Sequence, residues 1–108
     1  MRLGMVRNSR LSYAALLILR GFLLDPKAEM TGAEIIRRSG LASGTVYPIL
    51  LRFERVGLLK SYWESGNPSD LGHPRRRYYR ISPQGLAVAR EALTELSGVG
   101  ATLAPEAV

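Results

Sequence analysis

The chain has 108 residues, a formal net charge of +6 and a sequence pI near 10.3, a length that suggests one domain burying about 65% of its unfolded surface. It has no cysteine and a single histidine, which excludes disulfides, thiolate metal sites and cysteine nucleophiles and leaves few groups for acid–base catalysis, so no enzyme is expected. Nine basic residues against three acidic ones fall between Arg37 and Arg80, so the middle of the chain carries the whole net charge, either as a solvated face or as the footprint of a polyanion.

Residues 1–10 read as a flexible basic arm. Arg2, Arg7 and Arg10 precede the apolar run Leu11–Leu24, a pattern that imitates a signal peptide. Arg20 interrupts that run, however, and Asp25-Pro26-Lys27 follows it with no small-x-small cleavage site. At about 14 residues the run is also shorter than the ~20 that span a bilayer. It is expected as a core helix capped by Ser12, apolar nearly all round and stopped at Asp25-Pro26.

Thr31-Gly32-Ala33-Glu34 has the form of a capping box, in which hydroxyl and carboxylate satisfy each other's free amides, and it opens a second helix closed by Gly40. Ser43 is expected to cap a third helix. Val46, Ile49, Leu50, Phe53 and Val56 recur at helical spacing as its core face, and Gly57 ends it. Thr45, Tyr47, Pro48, Leu51, Arg52 and Arg55 share the other face. With the cap at Ser43, the amide that Pro48 lacks would have made the first regular bond of the helix, to the Gly44 carbonyl. The damage is then confined to the start of the helix, where it sets the angle of Thr45 and Tyr47.

Leu58–Glu64 reads as a strand and Arg77–Ser82 as its partner, joined by the turn-rich loop Ser65–Arg76. Tyr78 and Tyr79 should face opposite ways, one into the core and one partly exposed. Trp63 is expected in core or interface packing, with a flat stacking surface for an aromatic ligand as the alternative. Ser82-Pro83 starts a fourth helix that runs to about Ser97. Leu86, Ala89, Leu93 and Leu96 form a narrow stripe on it, the seam of a helix pair. Together with Leu16, Leu19 and Leu23 of the first helix they are the expected homodimer interface.

The order helix, helix, helix, strand, basic loop, strand, helix is that of a winged helix-turn-helix: mainly α with a two-stranded β-wing, plus a C-terminal dimerisation helix. The boundaries expected are 1–10 for the arm, 11–82 for the DNA-binding domain, 83–97 for the dimerisation helix and 98–108 for a frayed tail. In such a motif the start of the third helix enters the major groove. Ser43, Gly44, Thr45, Tyr47 and Pro48 occupy that start. Thr45 and Tyr47 offer hydrogen bonds and apolar surface to sugars and thymine methyls, Gly44 permits close approach, and Arg52 and Arg55 follow down the same face. His73, Arg75 and Arg76 are the wing residues expected on DNA, with Arg77 completing the basic run. A metal or catalytic role for His73 is not expected.

Gly44-Thr45-Val46-Tyr47-Pro48-Ile49-Leu50, the strand Tyr62-Trp63-Glu64, and the segment Gly72-His73-Pro74-Arg75-Arg76-Arg77-Tyr78-Tyr79-Arg80-Ile81-Ser82-Pro83-Gln84-Gly85 together resemble the PadR family of transcriptional regulators. The resemblance runs from about Leu11 to Leu96, and the short C-terminus looks like the family's compact subgroup. It matches the family's recognition-helix residues at Ser43, Thr45, Tyr47 and Pro48, and its wing at Pro74, Arg75 and Arg76. It departs at Leu51, where a basic residue is usual, at Ala33, where an aromatic one is usual, and at His73, where arginine is frequent. The resemblance implies a cytoplasmic, homodimeric repressor that binds double-stranded DNA at a near-palindromic operator. It further implies release by a small molecule, perched at the dimer interface, or by another signal. No cofactor, metal or membrane is implied. The alternative is a winged-helix protein-interaction module that does not read DNA.

Overall fold

The computed structural model describes residues 11–103, with side chains described as far as Glu95. The basic arm, Leu96 and residues 104–108 therefore lie outside the described side chains. Ser12 caps the first helix, α1 (Tyr13–Leu24), by accepting the Ala15 amide at 3.1 Å. A short strand, β1 (Met30–Thr31), leads directly into α2 (Gly32–Ser39). The capping box is complete: Thr31 Oγ1 accepts the Glu34 amide at 3.1 Å, and Glu34 Oε1 accepts the Thr31 amide at 3.0 Å. Gly40, in the left-handed conformation, closes α2.

The third helix, α3 (Ser43–Arg55), corrects the expected cap. Ala42, not Ser43, holds the N-cap position, and no side chain caps it. The first regular helical bond is therefore Val46 N–H to the Ala42 carbonyl, at 3.0 Å, and the bond missing at Pro48 is the third of the series; even a cap at Ser43 would have made it the second rather than the first, because the cap's own carbonyl takes the first. Val46, Ile49, Leu50 and Phe53 are buried as their spacing requires, whereas Val56 is 55% exposed because it is the C-cap rather than a helical position. Gly57, at φ 81°, then reverses the chain. Its amide donates to the Glu54 carbonyl and the Leu58 amide to that of Phe53, at 3.2 and 2.8 Å, a Schellman ending that aims the backbone into the sheet.

The sheet has three antiparallel strands rather than two. β2 (Leu59–Trp63) and β3 (Arg77–Ile81) pair along their length, Leu59 opposite Ile81 and Trp63 opposite Arg77. β1 adds to the other edge of β3, with Met30 opposite Tyr79. The loop between β2 and β3 holds a short helix, α4 (Pro68–Leu71), capped by Asn67 with Pro68 in its first turn. Tyr79 is buried and Tyr78 partly exposed, as alternation demands. Tyr78 stacks on Tyr62, ring centroids 5.7 Å apart. Tyr62 donates to Glu29, a bond that raises its phenol above the ordinary tyrosine pKa because ionisation would set phenolate against carboxylate.

Ser82, almost fully buried, ties the sheet to the last helix, α5 (Pro83–Leu103). Its hydroxyl donates to the Gly57 carbonyl at 2.6 Å and accepts the Gly85 amide at 2.9 Å. Gly85 passes so close to the Leu58 carbonyl that a Cβ there would overlap it. α5 extends beyond the expected end near Ser97. It packs on α1 and buries Val88, Ala89 and Ala92, and Val88 and Ala89 share one core with Ile18, Leu19, Phe22, Leu50 and Phe53. Leu19 and Ala89, expected at a dimer interface, are 0% exposed and belong to the chain's own core. A 3-4-3 stripe marks an apolar seam but not which body covers it.

Candidate nucleic-acid interface

α3 buries one face and leaves the other to solvent. Ser43, Gly44, Thr45, Tyr47, Pro48, Leu51, Arg52 and Arg55 are all exposed. Thr45, Pro48, Arg52 and Arg55 succeed one another at intervals of three or four residues, and Tyr47, Leu51 and Arg55 at intervals of four, so two adjoining exposed rows that meet at Arg55 carry hydroxyls, an aromatic ring and two guanidinium groups. Arg52 and Arg55 have no acidic partner among the described residues. The positive end of the helix dipole lies at the Ser43–Thr45 end, where no side chain caps the helix.

Tyr47 is 48% exposed, yet its ring rests over α2: a Cβ built on Gly32 would fall 2.5 Å from Tyr47 Oη and 2.6 Å from Cε1. Tyr47 thus both packs on a neighbouring helix and presents itself outward. Leu51 is half exposed on the same face.

The wing stands beside this surface, and its base is held tightly. Beyond the last strand pair, the Glu64 amide donates to the Arg76 carbonyl at 2.7 Å, and the Arg76 amide donates to Glu64 Oε1 at 3.2 Å. Arg75 and Arg76 are exposed, with no acidic side chain paired to either guanidinium among the described residues. His73 is partly buried, its Nδ1 2.6 Å from the Pro74 carbonyl oxygen and 3.8 Å from Glu64 Oε1, an arrangement that folds the ring back on the wing.

Arg77 differs from the rest of the basic run. Its Nη2 donates to Glu54 Oε2 at 3.1 Å and to Ser61 Oγ at 2.7 Å, its Nε donates to Ser61 Oγ at 3.0 Å, and Ser61 in turn donates to Glu54. Its guanidinium also lies over the Trp63 ring, 5.2 Å from the centroid. Arg77 is therefore an internal strut joining α3 to both wing strands. Sequence reasoning missed this because Glu54 and Arg77 are far apart in the chain, although Glu54 falls on α3 and Ser61 and Arg77 fall on paired strands. Trp63 is 56% exposed, which removes it from the core of the chain.

The profile of the PadR-like family of transcriptional regulators matches residues 24–91. No curated protein matches the sequence. Among solved structures, a transcriptional regulator from Clostridium thermocellum is 25% identical, with a TM-score of 0.64 over 84% of this chain and 86% of that one. A PadR-like transcriptional regulator from Bacillus cereus is 23% identical, with a TM-score of 0.65 over 88% and 93%. BpsR of Bordetella bronchiseptica, whose DNA binding is regulated by 6-hydroxynicotinic acid, is 18% identical, with a TM-score of 0.67. The match covers 88% of this chain and 66% of BpsR, so the likeness there is one of fold.

Proposed function

The chain belongs to the PadR-like family of transcriptional regulators, and from that premise we propose that it is a cytoplasmic repressor that binds a near-palindromic operator as a homodimer and is released by a small molecule or another signal. The observation that carries the DNA-binding part is the outward face of α3. Ser43, Gly44, Thr45, Tyr47, Pro48, Arg52 and Arg55 line it, and Arg75 and Arg76, without an acidic partner among the described residues, stand beside it on the wing. In this reading the first turn of α3 enters the major groove, Thr45 and Tyr47 meet base edges and sugars, and the four arginines neutralise phosphates. His73 acts at the wing tip through its contact with Pro74. Pro48 leaves the Gly44 carbonyl without its helical donor and stiffens the segment that carries Tyr47. Two copies related by a two-fold axis would place their α3 helices one DNA turn apart, about 34 Å.

Selection from a random duplex library followed by salt titration tests this. A palindromic site should emerge. If about six phosphates are neutralised, the logarithm of affinity should fall with a slope of about −5 against log salt. No enriched sequence, or an affinity indifferent to salt, overturns the reading and leaves a winged helix that serves another partner.

A further inference from the structure

The outward face of α3 is not polar throughout. Gly44, Pro48 and Leu51, spaced by four and then three residues, form a strip that offers no polar side-chain atom, and Arg55 continues it four residues further on. Tyr47 lies on one flank of this strip, Thr45 and Arg52 on the other. Leu51 is 50% exposed, and between Ser43 and Arg55 it is the one large aliphatic side chain left in solvent, since Val46, Ile49 and Leu50 are buried. A lone leucine on a surface needs no explanation by itself. Leu51 differs because of its neighbours. Arg52 and Arg55 have no acidic partner among the described residues. The leucine therefore stands amid the groups that draw α3 onto a polyanion, and it loses its water when they dock.

We propose that Leu51 is a specificity-determining residue of this face, its side chain packed on the C5-methyl of a thymine in each half-site. The inference rests on the proposed function and adds to it a base that α3 reads without a hydrogen bond. Pressed on phosphates or polar base edges, Leu51 would cover groups that need hydrogen bonds and supply none. The major groove presents one apolar group, the C5-methyl of thymine, and contact with it takes apolar surface out of water on both sides. That carbon is also the part of the base edge nearest its own sugar–phosphate strand. It therefore lies where a residue placed between the base-reading first turn of α3 and a phosphate-bound Arg55 can meet it. Leu51 follows Thr45 by six residues, about 9 Å of helix, or roughly two to three base steps of ~3.4 Å, so the two side chains meet different bases. A 5-methylcytosine carries the same methyl at the same place, so the contact would also register cytosine methylation.

The test uses the full chain and the duplex that selection yields, with each thymine replaced singly by deoxyuracil. That exchange removes the methyl and keeps every hydrogen-bonding group. Fluorescence anisotropy should show one position in each half-site at which uracil weakens binding about fourfold, the worth of one buried methyl-sized group. Leu51→Ala should bind the thymine and uracil duplexes alike at that position. With a C·G pair placed there, methylating the cytosine at C5 should tighten binding of the wild type about fourfold and leave Leu51→Ala unchanged. Arg52→Gln should weaken binding to both duplexes while keeping the preference for thymine. Circular dichroism confirms that each variant is folded, as expected for exposed positions. Half-sites without thymine, or with no thymine whose methyl matters, overturn the inference. So does a uracil penalty that Leu51→Ala retains in full, because it then belongs to duplex shape or to another side chain, and so does a preference that Arg52→Gln loses equally. A chain that binds no duplex overturns this inference together with the proposed function. A chain that binds its operator without regard to these methyls overturns this inference alone.

Discussion

Gly32 has no side chain, and Tyr47 uses the space. The atoms that an added methyl would meet, Tyr47 Oη, Cζ and Cε1, are the far end of a half-exposed side chain rather than backbone. The ring can swing away at little cost to the fold, and alanine is also the better helix former. Gly32→Ala should therefore change unfolding stability by less than about 1 kcal/mol while lowering operator affinity about tenfold, ~1.4 kcal/mol, because Tyr47 no longer stands where α3 presents it. Chemical denaturation and fluorescence anisotropy on the selected duplex measure the two effects separately. An unchanged affinity would show that the position of Tyr47 is irrelevant to DNA. Gly85 is the opposite case: a Cβ there would meet the backbone carbonyl of Leu58, which cannot step aside without moving the β2–α5 junction. The same residue type thus protects a functional pose at one position and the fold at the other.

One partly buried polar cluster, Glu54–Ser61–Arg77, ties the wing to α3. The ion pair is worth no more than about 1 kcal/mol at that exposure, but it joins α3 to both strands. Glu54→Gln removes a negative charge from the helix proposed to bind DNA, so charge alone would tighten binding. Loss of the strut should loosen it, and operator affinity is expected to fall three- to tenfold, ~0.7–1.4 kcal/mol, with little change in melting temperature. A rise in affinity would reduce the cluster to a surface ion pair. The elements around it differ in how far they could be read in advance. The buried faces of α1 and α3, the Ser12 cap and the Thr31–Glu34 box follow from contacts three or four residues apart. β1 does not, since two residues carry no periodicity and its pairing partners, Tyr78 and Tyr79, lie far along the chain. The cap of α3 misled because Ser43 has the preferred side chain while the backbone placed Ala42 at the turn. The loop helix α4 was legible in Asn67-Pro68, a cap followed by proline, yet four residues among turn formers hid it.

Across the whole molecule, α1 and the described part of α5 leave a band of apolar surface uncovered. Leu19 and Ala89 are sealed in the core, but Leu16, Leu23, Leu86 and Leu93 are only partly covered, and Tyr13 and Leu24 are 74% and 72% exposed. Tyr13, Leu16, Leu17, Arg20 and Leu93 outline a shallow trough of about 230 Å³ between the two helices. Exposed apolar surface that is continuous along two helices favours association, and a second copy supplies the same surface in return, as a two-fold interface requires. Light scattering at micromolar concentration should therefore show a dimer. Leu16→Glu combined with Leu93→Glu places four carboxylates in the shared interface and should yield a monomer with its helical circular dichroism intact. Operator affinity should fall about a hundredfold in that variant, since each half-site would be bound without the effective concentration the other supplies. The salt slope per bound chain should stay the same, because α3 and the wing are untouched. A wild-type monomer, or a double variant that remains dimeric, would move the interface away from α1 and α5. A double variant that is monomeric yet binds the full palindrome undiminished would show that each α3 reads its half-site alone.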